Sequence, residues 1–232
     1  MIKERENEMK LSPAFGDTPP SREELFERGR EIVLAAPQLY VDLDVEADGI
    51  AGYGNMTALG AQSPTGESFY SEIRPYSELY MPEKRKFCEE HGLEHDRLLR
   101  EAPELTVVIR QFCAWVKSLE ESTGKKPVLT AFGPDFDASH LKLSFAIAGM
   151  YDEYPFALLP FDLKSLALPL GGDWDWKKTA KSNLPKVIIP DGDFSHNALE
   201  DSQYQQKLHF GMAALMEQLD YPKLMDLYEE VA

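Results

Sequence analysis

Leu39-Tyr-Val-Asp-Leu-Asp-Val-Glu46 decides the reading of this chain. Side chains alternate along a strand, so Asp42, Asp44 and Glu46 point one way and Val41, Leu43 and Val45 the other. The apolar face reads as buried. The acidic face sets like charges side by side, which is costly without compensation. A divalent cation supplies that compensation, because hard cations prefer carboxylate oxygen.

Outward from this strand, the pattern is mixed. Ser21-x-x-Glu24 is a capping box, and it opens a helix whose apolar stripe is Leu25, Ile32 and Val33. After the acidic strand, glycines 49, 52 and 54 mark a turn, and strands are expected at Met56–Gln62 and Ser68–Arg74. Helical periodicity then covers Pro82–Leu99, broken at Gly92, and Leu105–Glu121, which ends at Gly124. A short strand at Pro127–Phe132 precedes a helix at Asp135–Met150. A strand at Ala157–Leu163, a helix at Leu163–Leu170 and an irregular stretch to Phe194 follow. Helices at about 197–218 and 222–231 close the chain. An antiparallel meander followed by alternating strands and helices indicates an α/β fold with a mixed sheet flanked by helices. Residues 1–36 read as an N-terminal tail and helix, with the tail disordered up to about residue 20. Residues 37–232 read as the functional domain with an extra C-terminal helix.

Composition narrows the function. The chain has 232 residues, 43% of them hydrophobic, enough for one domain with a true core. No apolar run is long enough to span a bilayer, and the charged start lacks a secretory h-region, so a cytoplasmic location is expected. Cys88 and Cys113 fall in helical segments, which argues against a disulfide framework. A net charge of −16 argues against non-specific duplex binding. It permits a small nucleic-acid footprint held through metal, a short strand or an end.

Further acids stand at element ends, where α/β folds place their sites. Phe136-Asp137 opens the helix after the fourth strand, and His196-Asn-Ala-Leu-Glu-Asp201 opens the helix after the irregular stretch. Five residues apart on a helix means about 140° of rotation, so His196 belongs on the loop and Asp201 in the first turns. Lys177, Lys178, Lys181 and Lys186 form a basic cluster, read either as a solvated loop or as a phosphate-contacting flap. Trp174 and Trp176 in that loop either stack a base or cover the core. Phe132 or Phe136 could face a terminal base, but core packing is the simpler role.

Asp44-x-Glu46-x-x-Gly49, Phe136-Asp137 and His196-x-Ala198-x-x-Asp201 together resemble the three ordered motifs of the DEDDh 3′→5′ exonucleases. Tyr70-Ser-Glu-Ile-Arg-Pro75 is similar to that superfamily's third strand. His91-Gly-Leu through Glu101-Ala-Pro103 is similar to its following helical segment. The resemblance runs from about Tyr40 to about Gly211. It implies a ribonuclease H-like fold and metal-dependent hydrolysis of single-stranded RNA or DNA from the 3′ end to mononucleotides. By the same resemblance Asp44, Glu46, Asp137 and Asp201 would hold two Mg²⁺ or Mn²⁺ ions, with Asp44 bridging them. His196 would be the general base. Asp42-x-Asp44 is a rival acidic pair, but the glycine five residues after Asp44 and the Glu at the second position favour Asp44/Glu46. The resemblance leaves a homodimer open, and no interface pattern in the sequence argues for one. Neither the preferred sugar nor a base-reading motif can be read.

Two alternatives compete. His91-Gly-Leu-Glu94-His95 matches the H-x-x-E-H zinc-protease signature, although Gly92 weakens the helix that zinc would need. A non-catalytic binding module on a nuclease fold is the other, against which stand all five motif residues.

Overall fold

The computed structural model describes residues 20–157, 159–171, 175–192 and 195–218. The expected helix at 222–231, the tail before residue 20 and Trp174 lie outside these.

The chain opens with α1 (Arg22–Ala35), capped as the sequence requires: Ser21 Oγ accepts from the Glu24 amide, and Glu24 accepts from the Ser21 amide. Strand β1 (Gln38–Ala47) leads through a glycine turn to β2 (Met56–Gln62) and β3 (Ser68–Glu72). Helices α2 (Pro82–Glu90), α3 (His95–Glu101) and α4 (Leu105–Thr123) follow, and Gly124 ends α4 with a left-handed φ of 67°. Then come β4 (Lys126–Ala131), α5 (Asp135–Ile147), β5 (Phe161–Asp162), α6 (Leu163–Gly171) and α7 (Ala198–Glu217).

The sheet order is β3-β2-β1-β4-β5. The β1, β2 and β3 strands form the antiparallel meander, while β4 and β5 add in parallel. The mixed α/β sheet is therefore as expected, with β1 at its centre. The strand expected at Ala157–Leu163 shrinks to the two residues of β5, and the third strand stops at Glu72.

Two apolar layers sandwich the sheet. Val41, Leu43 and Val45 pack with Ile109, Phe112 and Val116 of α4 and with Leu141 and Phe145 of α5. A second cluster joins Leu25 of α1, Leu163 of α6 and Leu208 and Met212 of α7. Helix α7 lies between the sheet and α1, so it is buried on several faces and its apolar periodicity is blurred. Cys88 and Cys113 are both buried and free. No described helix is long and apolar enough to cross a membrane.

Candidate active site

The three motifs converge at the end of β1. The Glu46/Ala47 step carries a register shift against β2, a bulge of the kind that re-aims side chains beside active sites. The turn beyond it is fixed by polar contacts. Asp48, 2% exposed, accepts from the Asn55 amide at 2.6 Å and pairs with Arg85 at 3.0 Å. Gly49 is needed there, since a Cβ would lie 2.1 Å from the Tyr53 carbonyl oxygen. The ring of the buried His140 on α5 meets the Gly49 carbonyl at 3.2 Å and ties α5 to the turn.

Asp137 stands in the first turn of α5, and its Oδ1 accepts from the Val45 amide at 3.0 Å. This bond locks the second motif onto β1 between Asp44 and Glu46. Asp201 stands in the first turn of α7 and His196 just before its N-cap, Asn197, as the spacing required. Asp201 accepts from the Ser195 amide at 2.9 Å and the His196 amide at 3.1 Å. His196 has a φ of +58°, left-handed and unusual for a side chain other than glycine, though His is among the tolerated types. Its ring packs against Phe87 and His91 at centroid distances of 4.6 and 4.5 Å. Ligand atoms of Glu46, His196 and Asp201 lie within 4.8 Å of one another.

Electrostatics bind Asp44 and Asp137 to the same cluster. Burial pushes the Asp44 carboxyl well up, and the charges of Asp137, Glu46 and Asp201 push it further. Burial, then Asp201 and Asp137, raises Glu46 to about 8. Burial raises Asp137 to about 7 against the Val45 amide, and it also raises Asp201. Such a set of hard oxygen donors, crowded and mutually repelling, fits divalent cations such as Mg²⁺ or Mn²⁺. All five motif residues are thus brought to one place.

The rival acid takes another route. Asp42 shares the acidic face but is fully buried beneath α7, where His209 Nδ1 lies 3.3 Å from its Oδ2. Asp201, Gln205 and His209 form an i, i+4, i+8 stripe on the sheet-facing side of α7. Gln205 donates to the Leu43 and Thr130 carbonyls at 3.3 Å each and accepts from the Phe132 amide at 2.8 Å, clamping α7 to β1 and β4.

Two participants escaped the sequence reading. Gly60 on β2 pairs with Asp44, and a Cβ there would lie 2.1 Å from the Ala198 carbonyl carbon. Its missing side chain lets the start of α7 descend onto the carboxylates. Lys181 is the second: it was read only as one of four lysines in either a solvated loop or a phosphate-contacting flap, without being singled out. The chain turns at Trp176–Thr179, Lys181–Asn183 and Lys186–Ile188, and Lys181 Nζ lies 5.0 Å from the Phe132 ring centroid. Burial lowers Lys181 to about 8, against the pull of Asp44, Asp201 and Asp137. Lys186 is exposed; Trp176 is 52% exposed under Lys164 Nζ, 4.7 Å from its ring. Phe136 is partly exposed and rests on His140.

The zinc-protease pattern is not assembled. His91 is the C-cap of α2, whereas Glu94 and His95 begin α3 on the far side of a turn at Gly92, so no single helical face presents both histidines. Arg97 takes up Glu94 at 3.1 Å.

No protein-family model matches the sequence. The chain is 27% identical over 192 residues to the 3′-5′ DNA exonuclease Cap18 of Escherichia coli, covering 82% of this chain and 97% of that one. Its fold is similar to the nuclease domain of 3′hExo, a DEDDh family member bound to rAMP, with a TM-score of 0.59 at 16% identity over 75% of this chain and 91% of the other. It is also similar to E. coli exonuclease I in complex with a dT13 oligonucleotide, with a TM-score of 0.55 at 13% identity over 82% of this chain and 43% of the other. The ribonuclease H-like fold expected from the motifs is the fold observed. In the order of its motifs and in its fold the chain thus resembles the DEDDh exonucleases, and its sequence is similar to that of a 3′-5′ DNA exonuclease.

Proposed function

We propose that the chain is a DEDDh-type 3′→5′ exonuclease that acts on single-stranded nucleic acid, entered at the free 3′ end and cut to mononucleotides. Asp44, Glu46, Asp137 and Asp201 would hold two divalent cations, Mg²⁺ or Mn²⁺. The observation that carries the reading is the meeting of three distant segments: Asp137 bonds the Val45 amide between Asp44 and Glu46, and ligand atoms of Glu46, His196 and Asp201 lie within 4.8 Å of one another. When bound, such ions supply an activated water and stabilise charge on the attacking and leaving oxygens.

The chain's own residues orient and exchange the proton. His196, within reach of Glu46 and Asp201, takes the proton of the attacking water on a ring nitrogen. Phe87 and His91 limit its ring to one side of the site, and the Asp201 carboxylate holds its backbone amide. Asp137 is fastened to the Val45 amide, which holds its carboxyl beside Asp44 and Glu46.

DNA is the substrate we favour, because the relative matched over nearly its full length is a DNA exonuclease. The test is a single-stranded DNA oligonucleotide labelled at its 3′-terminal nucleotide, incubated with Mn²⁺. Release of labelled mononucleotide as the first product supports the reading. Release of labelled oligonucleotides would mean internal cleavage and refute it.

A further inference from the structure

We infer that Lys181, outside all three motifs, contacts the phosphate being cut, its ammonium bonding a non-bridging oxygen. The inference rests on the exonuclease reading and adds a fifth charged side chain to the four carboxylates.

Placement is the first argument. The Lys181–Asn183 turn is pinned on both sides by buried groups, Thr179 before it and Leu184 and Ile188 after it. Thr179 further donates its hydroxyl to the Trp176 carbonyl at 2.7 Å. The side chain runs inward over Phe132, which follows β4 on the Gln205 clamp. Gln205, which Phe132 bonds, stands one turn after Asp201 on α7, so the ammonium over Phe132 lies beside the third motif, and the charges of Asp44, Asp201 and Asp137 pull on it there. A lysine in a solvated loop would not be so held.

Charge is the second argument. Two divalent ions would cancel the four carboxylates, leaving the phosphodiester's own negative charge unmatched. That charge grows as the water oxygen attacks and the proton passes to His196. A lysine ammonium is a compact point charge suited to phosphate oxygen, and it needs no fixed fork geometry to follow the phosphate as it inverts. Because the surroundings are apolar on the Phe132 side, the attraction is less screened than at the surface.

The test compares wild type with Lys181→Met and Lys181→Arg. Calorimetry in Mn²⁺ measures binding of dTMP, which carries the phosphate, and of thymidine, which lacks it; kcat is taken on single-stranded DNA. The expected result is a loss of dTMP affinity of roughly 10- to 100-fold in K181M, with thymidine and Mn²⁺ binding not weakened and dTMP binding partly restored in K181R. kcat should fall by about 10²-fold, the weight of one lost electrostatic contact to the transition state. Thymidine binding also reports whether the variant is folded, and Lys181→Gln gives the same readout should K181M fail it. Unchanged dTMP affinity in a folded variant, with only the metal-free Tm lowered, would overturn the inference and leave Lys181 as a counter-charge for the acids. A wild type that cuts no DNA would instead remove the exonuclease reading on which the inference stands.

Discussion

Asp137 Oδ1 accepts from the Val45 amide at 3.0 Å across 92 residues of sequence, joining the start of α5 to the middle of the acidic strand. One carboxylate thereby carries two duties, charge and position, and they can be separated. Asp137→Asn keeps an acceptor for Val45 and should leave Tm within a few degrees while abolishing turnover. Asp137→Ala removes the acceptor as well and should cost about 1–3 kcal/mol more, the desolvation cost of an unpaired buried amide. Equal stability of the two variants in urea titrations would deny the bond its structural role.

Asp44→Asn should abolish activity and stabilise the metal-free protein. Its carboxyl is opposed by burial and by three neighbouring acids, all relieved by a neutral amide. A Tm rise of roughly 2–4 °C in EDTA corresponds to about 1 kcal/mol in a chain of this size. Retained turnover would remove Asp44 from the site.

The raised carboxyls also set a pH dependence. Glu46 goes from 4.5 to about 8 on folding, and Asp137 from 3.8 to about 7. In that window the folded state binds more protons than the unfolded one, so stability must fall as pH rises. In EDTA, Tm should drop between pH 5 and about 8. Mn²⁺ should cancel most of the drop by favouring the ionised carboxylates. A Tm in EDTA that climbs over the same range would contradict the crowding of these groups.

His196→Asn is the informative variant of the histidine, because Asn also tolerates the left-handed backbone that His196 adopts at φ +58°. The rate should fall by about 10² to 10⁴, the usual weight of a general base, with Tm unchanged. Full activity would take His196 out of the mechanism.

Gly60→Ala tests how the third motif is seated. The added methyl would meet the Ala198 backbone at 2.1 Å, so either β2 or the start of α7 must shift. The expected cost is about 1–3 kcal/mol or more in stability, together with a loss of activity from displaced Asp201 and His196. Wild-type stability and turnover would show that the approach is not tight.

The legible part of the site was what period and spacing control. Strand alternation placed Asp44 and Glu46 together, and the five-residue interval put His196 before α7 and Asp201 within it. Asp42 has the same local pattern as Asp44, and only the arrival of His209 from another element 167 residues away separates the buried pair from the open cluster. Gly60 gave no signal because its role is the close approach of a helix that the sequence cannot position. Lys181 lay in a stretch without periodicity, so its inward direction depends on the apolar anchors Leu184 and Ile188. The two-residue β5 was overread because the apolar run before it is broken by Pro160, and Leu159 there is 77% exposed. The helix expected at 222–231 lies outside the described residues.

The most direct measurement is a time course of the purified protein on matched 5′-labelled single-stranded DNA and RNA oligonucleotides, in Mn²⁺ and then in excess EDTA. The account predicts a ladder shortening one nucleotide at a time from the 3′ end in Mn²⁺, faster on DNA, and intact substrate in EDTA. Substrates left intact in Mn²⁺, or shortened equally in EDTA, would contradict it.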